Sequence, residues 1–174
     1  VNHYLKSAKS INGPLVQYLP NNSHDAQITQ ISVTNAEGSL AEHHPYDEPF
    51  DIQVKIAVHR RTSSSYLGLH IHDNELRTLI FSRHFIPDNS SSKELEVGVH
   101  TYSVRCPSPL LVPGGYCVSV HLANASPAIL LDGADHVCYF ELHDSGSKTA
   151  KQGFPWRGSI AAPMKWTAIS SCKK

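Results

Sequence analysis

The chain has 174 residues, with 15 Lys and Arg against 15 Asp and Glu for a formal net charge of zero, and 12 histidines. That balance excludes a protein whose affinity comes from neutralising nucleic-acid phosphates or an anionic membrane surface. The length suits one all-β domain and leaves too little chain for a second core, and no run reaches the roughly 18 apolar residues of a membrane-spanning helix.

Residues 1–25 carry Pro14 and Pro20 and only a weak helical spacing of Leu5, Ala8 and Ile11, which predicts a connector packed on the domain. A start at Val predicts a fragment or processed product of a longer chain. Ile28, Ile31 and Val33 suggest an opening strand, and His43-His44 beside Pro45 reads as a loop. From Asp51 to Arg60 the apolar set Ile52, Val54, Ile56, Val58 alternates with Gln53, Lys55 and His59, the period-two signature of a half-buried strand. Thr62 to Ser65 reads as a loop tip. From Tyr66 to His72 the apolar set is Leu67, Leu69 and Ile71, so His70 and His72 share the opposite face. Leu76 to Phe85 is a further strand, Asn89 to Ser92 a further loop tip, and Tyr102, Val104, Cys106 alternate against Thr101, Ser103, Arg105.

The run Leu111 to Leu122 is a Pro-Gly turn feeding a strand: Tyr116, Val118, Val120 and Leu122 fall on one face, Cys117, Ser119 and His121 on the other. From His136 to His143, Cys138, Phe140 and Leu142 point inward while Tyr139, Glu141 and His143 point outward. Seven or eight such strands, spaced roughly ten to fifteen residues apart, make an all-β fold: an antiparallel β-sandwich, immunoglobulin-like or jelly-roll, over residues 26–163. The four cysteines show no Cys-x-x-Cys pair, and three sit inside strand patterns, which predicts buried thiols of a cytosolic protein. Sequons begin at Asn21, Asn89 and Asn124 and matter only in a glycosylating pathway.

The histidine excess raises a metal reading. His70-Ile71-His72, with Glu75 and His121, resembles the cupin motif, His-x-His then Glu and a later Pro-x-Gly-x-x-His. The spacing departs from it, because only two residues separate His72 from Glu75 and five separate Gly115 from His121. No Gly-x-Ser-x-Gly, His-Glu-x-x-His or Gly-x-x-x-x-Gly-Lys-Ser/Thr occurs, and no carboxylate pair has the spacing of a glycosidase. A non-catalytic binding module without cofactor or resident metal is favoured, with a cupin-like metal enzyme as the alternative.

An ordered set of segments carries a family resemblance. It comprises Ile28 to Val33 with Glu37-Gly38, Tyr46-Asp47-Glu48-Pro49-Phe50-Asp51, Leu67-Gly68-Leu69-His70-Ile71-His72-Asp73, Leu111-Val112-Pro113-Gly114-Gly115-Tyr116 and Tyr139-Phe140-Glu141-Leu142. Trp156-Arg157-Gly158 and Ala162-Pro163-Met164-Lys165-Trp166 close the set. Together they resemble the C-terminal polysaccharide-binding domain of the ATPase subunit of Wzt-type O-antigen ABC transporters. The resemblance implies that residues 1–25 lead from an upstream nucleotide-binding domain of the same chain. It also implies a β-sandwich that recognises a lipid-linked O-antigen polysaccharide for export, in the cytoplasm at the inner face of the inner membrane. A membrane transporter subunit would be a partner. Residues 164–174 would form a last strand exchanged in a homodimer, with Trp166 as its anchor.

Immunoglobulin-like strand order would bring the third, sixth and seventh strands side by side. His70, His72, Ser119, His121, Tyr139 and Glu141 would then share one outward face, offering a sugar imidazole and hydroxyl donors, a carboxylate acceptor and a ring. Protonated histidines or Arg105 could pair with an acidic group on the glycan and strengthen binding below about pH 6.5. Gln53, Lys55 and Arg105 on the other sheet form the weaker alternative groove.

Overall fold

Strict alternation sets the strands, and turn residues end them. In chain order they are β1 (Leu15–Gln17), β2 (Ala26–Asn35), β3 (His43–Pro45), β4 (Phe50–Val58), β5 (Thr62–Ser63), β6 (Ser65–Asp73) and β7 (Thr78–Ile86), then β8 (Glu94–Leu95), β9 (Gly98–Cys106), β10 (Gly114–Ala125) and β11 (Ala128–His143). Among the described residues a single short helix, α1 (Lys148–Lys151), follows, its N-terminus capped by Ser147 Oγ accepting from the Ala150 N–H. This computed structural model describes residues 13–63, 65–86 and 94–167.

Two sheets face each other, a four-stranded one ordered β1-β2-β4-β9 and a five-stranded one ordered β3-β11-β10-β6-β7; β5 and β8 pair separately. Every pairing is antiparallel except β11 with β3, which makes the larger sheet mixed. Ile28, Ile31, Ile52 and Ile56 from one sheet meet Ile71, Val118, Leu122 and Phe140 from the other in a single core. Each such side chain gains about 1.5–3 kcal/mol by leaving water, which is what binds the layers. Polar contacts also cross between sheets: Asp132 Oδ2 accepts the Ile28 N–H at 2.7 Å, and Cys138 Sγ donates to the Ile31 carbonyl at 3.2 Å.

Several sequence expectations change. The described residues form eleven strands rather than seven or eight, because short β1, β3, β5 and β8 are too brief to show periodicity. The 1–25 connector supplies β1, whose Val16 is buried in the core; its residues 1–12, with the weak helical spacing, lie outside the described residues. His43-His44-Pro45 is a strand, not a loop: the buried His44 ring packs on Phe50 and Phe140, and its Nε2–H donates to the Ala41 carbonyl at 3.0 Å. Thr62 and Ser65 are buried rather than at a loop tip, since their hydroxyls bond each other at 2.9 Å and Ser65 donates to Asn124 Oδ1 at 3.0 Å. The Asn89 to Ser92 tip and Cys172 fall outside the described residues. Cys106, Cys117 and Cys138 are buried free thiols, and burial pushes Cys106 and Cys138 up to about 12. Residues 161–167 belong to no strand of this chain. No helix among the described residues is long and apolar enough to cross a membrane.

Candidate functional site

β6, β10 and β11 are neighbours in the larger sheet, with β7 outside β6. In register, Ser119 stands opposite His70 and Cys117 opposite His72, so the histidines of β6 and the polar residues of β10 do share the outer face. The register between β10 and β11 slips three times, from Tyr116/Phe140 to Val118/Val137, then to Val120/Ala134, and again from Leu122/Asp132 to Ala123/Leu130. Each slip inserts one extra residue in β11, and at the first two His136 and Cys138 take φ of 51° and 54°. The bulges break the alternation so that Asp135 and His136 both lie outward while Val137 and Cys138 both lie inward.

The six candidate residues divide into three groups. His72 and Ser119 are only 6% and 2% exposed, which corrects their expected role as surface ligands. His72 Nε2 and Ser119 Oγ are 2.9 Å apart, His72 Nδ1 and Thr78 Oγ1 3.1 Å apart, and the His136 N–H donates to Ser119 Oγ at 2.9 Å. Every polar atom of this pair is thus used within the sheet, and the pair fixes the face instead of meeting a ligand. Its burial, then the nearby His136 and His70, hold the His72 pKa below its ordinary 6.5 against the opposing pull of Asp135 and a backbone hydrogen bond at Leu76.

His70 and His121 form the second group. Their rings meet edge to face at 5.4 Å, His70 packs on Phe81 at 4.8 Å and stacks on His72 at 6.0 Å, and His121 Nε2 lies 2.8 Å from Asp135 Oδ1. Burial first, then His121, lowers the His70 pKa, with Asp135 acting the other way. Protonation of His70 therefore begins below the pH 6.5 threshold expected from sequence. These two residues floor a groove of about 430 Å³ walled by Tyr66, Phe81, Arg83, Ile129 and Leu130. Arg83 lies over the Tyr66, Phe81 and Phe85 rings at 4.7, 5.2 and 6.0 Å from their centroids. Phe81 and Phe85 remain 51% and 55% exposed.

Tyr139 and Glu141 lie elsewhere, in a hollow of about 350 Å³ with Glu42, Asn74 and Gly115 at the opposite end of β10. Gly115 lies eight positions before Ala123 of the first groove, roughly 26 Å at about 3.3 Å per strand residue. Glu141 Oε2 sits 3.4 Å from His43 Nδ1. The outer face therefore carries an aromatic and cationic groove at one end and an acidic, polar one at the other.

Sequence reasoning missed Tyr66, Phe81, Arg83, Phe85, Asp135 and His136. The signal for the first four was present: Tyr66-x-Gly68-x-His70 and Phe81-x-Arg83-x-Phe85 each keep one face of a strand. In the alternative groove on the other sheet Arg105 is held in two hydrogen bonds by Asp51, at 3.0 and 2.9 Å, which leaves Lys55 as the cation there without such a partner among the described residues. Glu75 pairs with Arg77 at 3.1 Å, and among the described residues no group of three or more His, Cys, Asp or Glu is placed to hold a metal ion.

Fold and face together define a β-sandwich domain with a polar and aromatic surface on the outer side of its larger sheet. The chain belongs to the Wzt C-terminal domain family, whose model matches residues 21–156. This is a non-catalytic domain associated with ABC transporters. A crystal structure of the C-terminal domain of Wzt superposes with a TM-score of 0.64 at 16% identity, covering 84% of this chain and 85% of that one. A putative ApaA protein from Bordetella pertussis aligns over 71% of this chain and 97% of its own at 15% identity, with a TM-score of only 0.35. No curated protein matches the sequence.

Proposed function

We propose that this domain binds carbohydrate without transforming it, recognising an O-antigen polysaccharide so that an ABC transporter of a Gram-negative bacterium exports it. The observation that carries the reading is the 430 Å³ groove, where exposed aromatic rings stand beside imidazole nitrogens. A pyranose presents an apolar C–H face and a rim of hydroxyls, and such a groove meets both. His70, His121, Tyr139 and Glu141 are the contacts from the sequence-derived set, while His72 and Ser119 hold the sheet beneath them. With roughly 26 Å between the two hollows, a chain of several sugars would run along β10 from one to the other.

The family supports the remaining context. A nucleotide-binding domain of the same polypeptide would precede the sandwich, a transporter subunit in the membrane would receive the glycan, and the domain would work at the cytoplasmic face of the inner membrane. Met164 and Trp166 are 75% and 95% exposed, which supports a homodimer in which the final segment of each chain leaves its own sandwich and is exchanged.

The test is binding of the purified chain to long-chain polysaccharide from its own source, against polysaccharide of an unrelated serotype. Selective binding that His70→Ala and Tyr139→Ala each weaken is the expected result. Equal affinity for both polysaccharides, or none for either, rejects the reading.

A further inference from the structure

Of the six arginines, four have a carboxylate partner among the described residues, and Arg83 and Arg157 have none. Arg60, Arg61, Arg77 and Arg105 each lie against a carboxylate, at 3.0, 2.9, 2.7 and 2.9 Å from Asp25, Glu96, Asp73 and Asp51. Arg83 makes no ion pair among the described residues and instead spreads over three aromatic rings at the mouth of the groove. No acidic side chain lines that groove, and the carboxylate behind its floor, Asp135, is taken by His121 at 2.8 Å. The result is a cation held against ring faces, its N–H donors without an acceptor among the described residues.

Gly68 stands opposite Arg83 in the β6–β7 register, and a Cβ placed there would touch the Phe81 ring at 3.6 Å and fill the hollow between Tyr66 and His121. Tyr66, Phe81 and Leu130 supply apolar walls, so a neutral sugar satisfies the groove only in part, leaving the guanidinium unmatched.

Resting on the carbohydrate reading above, the geometry points to Arg83 as the specificity-determining contact for an acidic sugar residue, one whose ring stacks in the groove while its carboxylate or phosphoryl oxygens take the guanidinium edge. Planar guanidinium donors match either oxyanion in a bidentate fork. The acidic hollow holding Glu42 and Glu141 at the far end of β10 disfavours the same group, so the glycan has a preferred direction along the strand.

The test uses the full 174-residue chain, isotope-labelled, titrated with glucuronate, a glucose phosphate, glucose and inorganic phosphate while the Arg83 Nε–Hε and the Tyr66 and Phe81 ring signals are followed by NMR. At least one acidic sugar should shift all three sites with an affinity about tenfold above that of glucose, the size of one charge-assisted hydrogen bond. Arg83→Gln should erase that preference, and Arg60→Gln should keep it. A response to glucuronate alone assigns a carboxylate and a response to the glucose phosphate alone assigns a phosphoryl group; both support the inference. Glucose binding as tightly as either acid, inorganic phosphate matching the glucose phosphate, or shifts centred on Glu141 would each overturn it. Retention of selective polysaccharide binding by Arg83→Gln overturns this assignment and leaves the carbohydrate reading intact, whereas loss of selectivity in the unsubstituted chain defeats that reading itself.

Discussion

The outer faces of the two sheets differ in what their polar groups do. On the four-stranded sheet the β4–β9 ladder runs without a register shift and the β2–β4 ladder has one, between Ile28 and Gln30, and polar side chains there pair with each other: Arg105 grips Asp51, and Gln17 donates to Gln30 at 3.2 Å. On the five-stranded sheet the β10–β11 ladder slips, two non-glycine residues take positive φ, and exposed rings and an unpaired guanidinium gather beside the slips. A regular ladder lets cross-strand partners find each other, while bulges re-aim side chains and leave some of them for a ligand.

Inward, the comparison should vanish, since both sheets feed one core. Ile56→Ala on the smaller sheet and Leu122→Ala on the larger remove fully buried side chains, and each should cost about 2–5 kcal/mol in denaturant unfolding. A cost confined to one of them would mean the sheets are stabilised independently. Next in size is the contact between layers. Asp132→Ala strands the buried Ile28 N–H and should cost about 1–3 kcal/mol, against a far smaller loss for a substitution at exposed Asp135. Equal effects at the two positions would show that the cross-sheet bond contributes nothing special.

The faces should also separate by pH. The folded state holds His72 neutral, by burial first and then by His136 and His70, whereas the unfolded chain takes up the proton near the ordinary 6.5. Above that value the shift has no effect on stability. As pH falls through 6.5 toward the depressed folded value, the unfolded state binds more protons and stability drops; below the folded value the loss is complete. His70 and His44 act in the same direction, so the slope is shared. His72→Gln should make the fall in Tm between pH 7 and pH 5 shallower, and an unchanged slope would remove His72 from the account. A separate loss belongs to Asp144, whose pKa is held at about 2 chiefly by the Ser147 hydroxyl; its contribution is present above 3.8 and disappears on further acidification.

How far this was readable depends on the regularity of each segment. β4, β6, β9 and β10 announce themselves because Ile52, Val54, Ile56 and Val58, or Tyr116, Val118, Val120 and Leu122, keep a period of two with one apolar face. That His70, Ser119 and His121 share a face followed directly. β7 resisted because Leu79, Ile80, Phe81, Phe85 and Ile86 put apolar groups on both faces, so hydropathy could not say that Phe81 and Phe85 point to solvent. The stretch Asp135 to Cys138 resisted for a different reason: positive φ at His136 and Cys138 is imposed by the sandwich and has no glycine to signal it. Burial of His72 and Ser119 was equally hidden, since alternation assigns a side but not what neighbouring strands lay over it.

The smallest effect should come from the regular face, and it tests the contrast most directly. Arg105 and Asp51 form a bidentate pair with the arginine side chain 58% exposed, and its pKa is raised mainly by that hydrogen bond. Water screens such a pair and its formation restricts two side chains, so geometry this good still contributes little. Arg105→Ala should leave Tm within experimental scatter and leave polysaccharide binding unchanged, while His70→Ala on the other sheet weakens binding with its fold intact. If Arg105→Ala weakened binding as much as His70→Ala, the glycan would lie on the four-stranded sheet after all, and pairing with Asp51, whose side chain is 14% exposed, would be no bar to recruitment, because a carboxylate or phosphate on the ligand can compete for the exposed guanidinium.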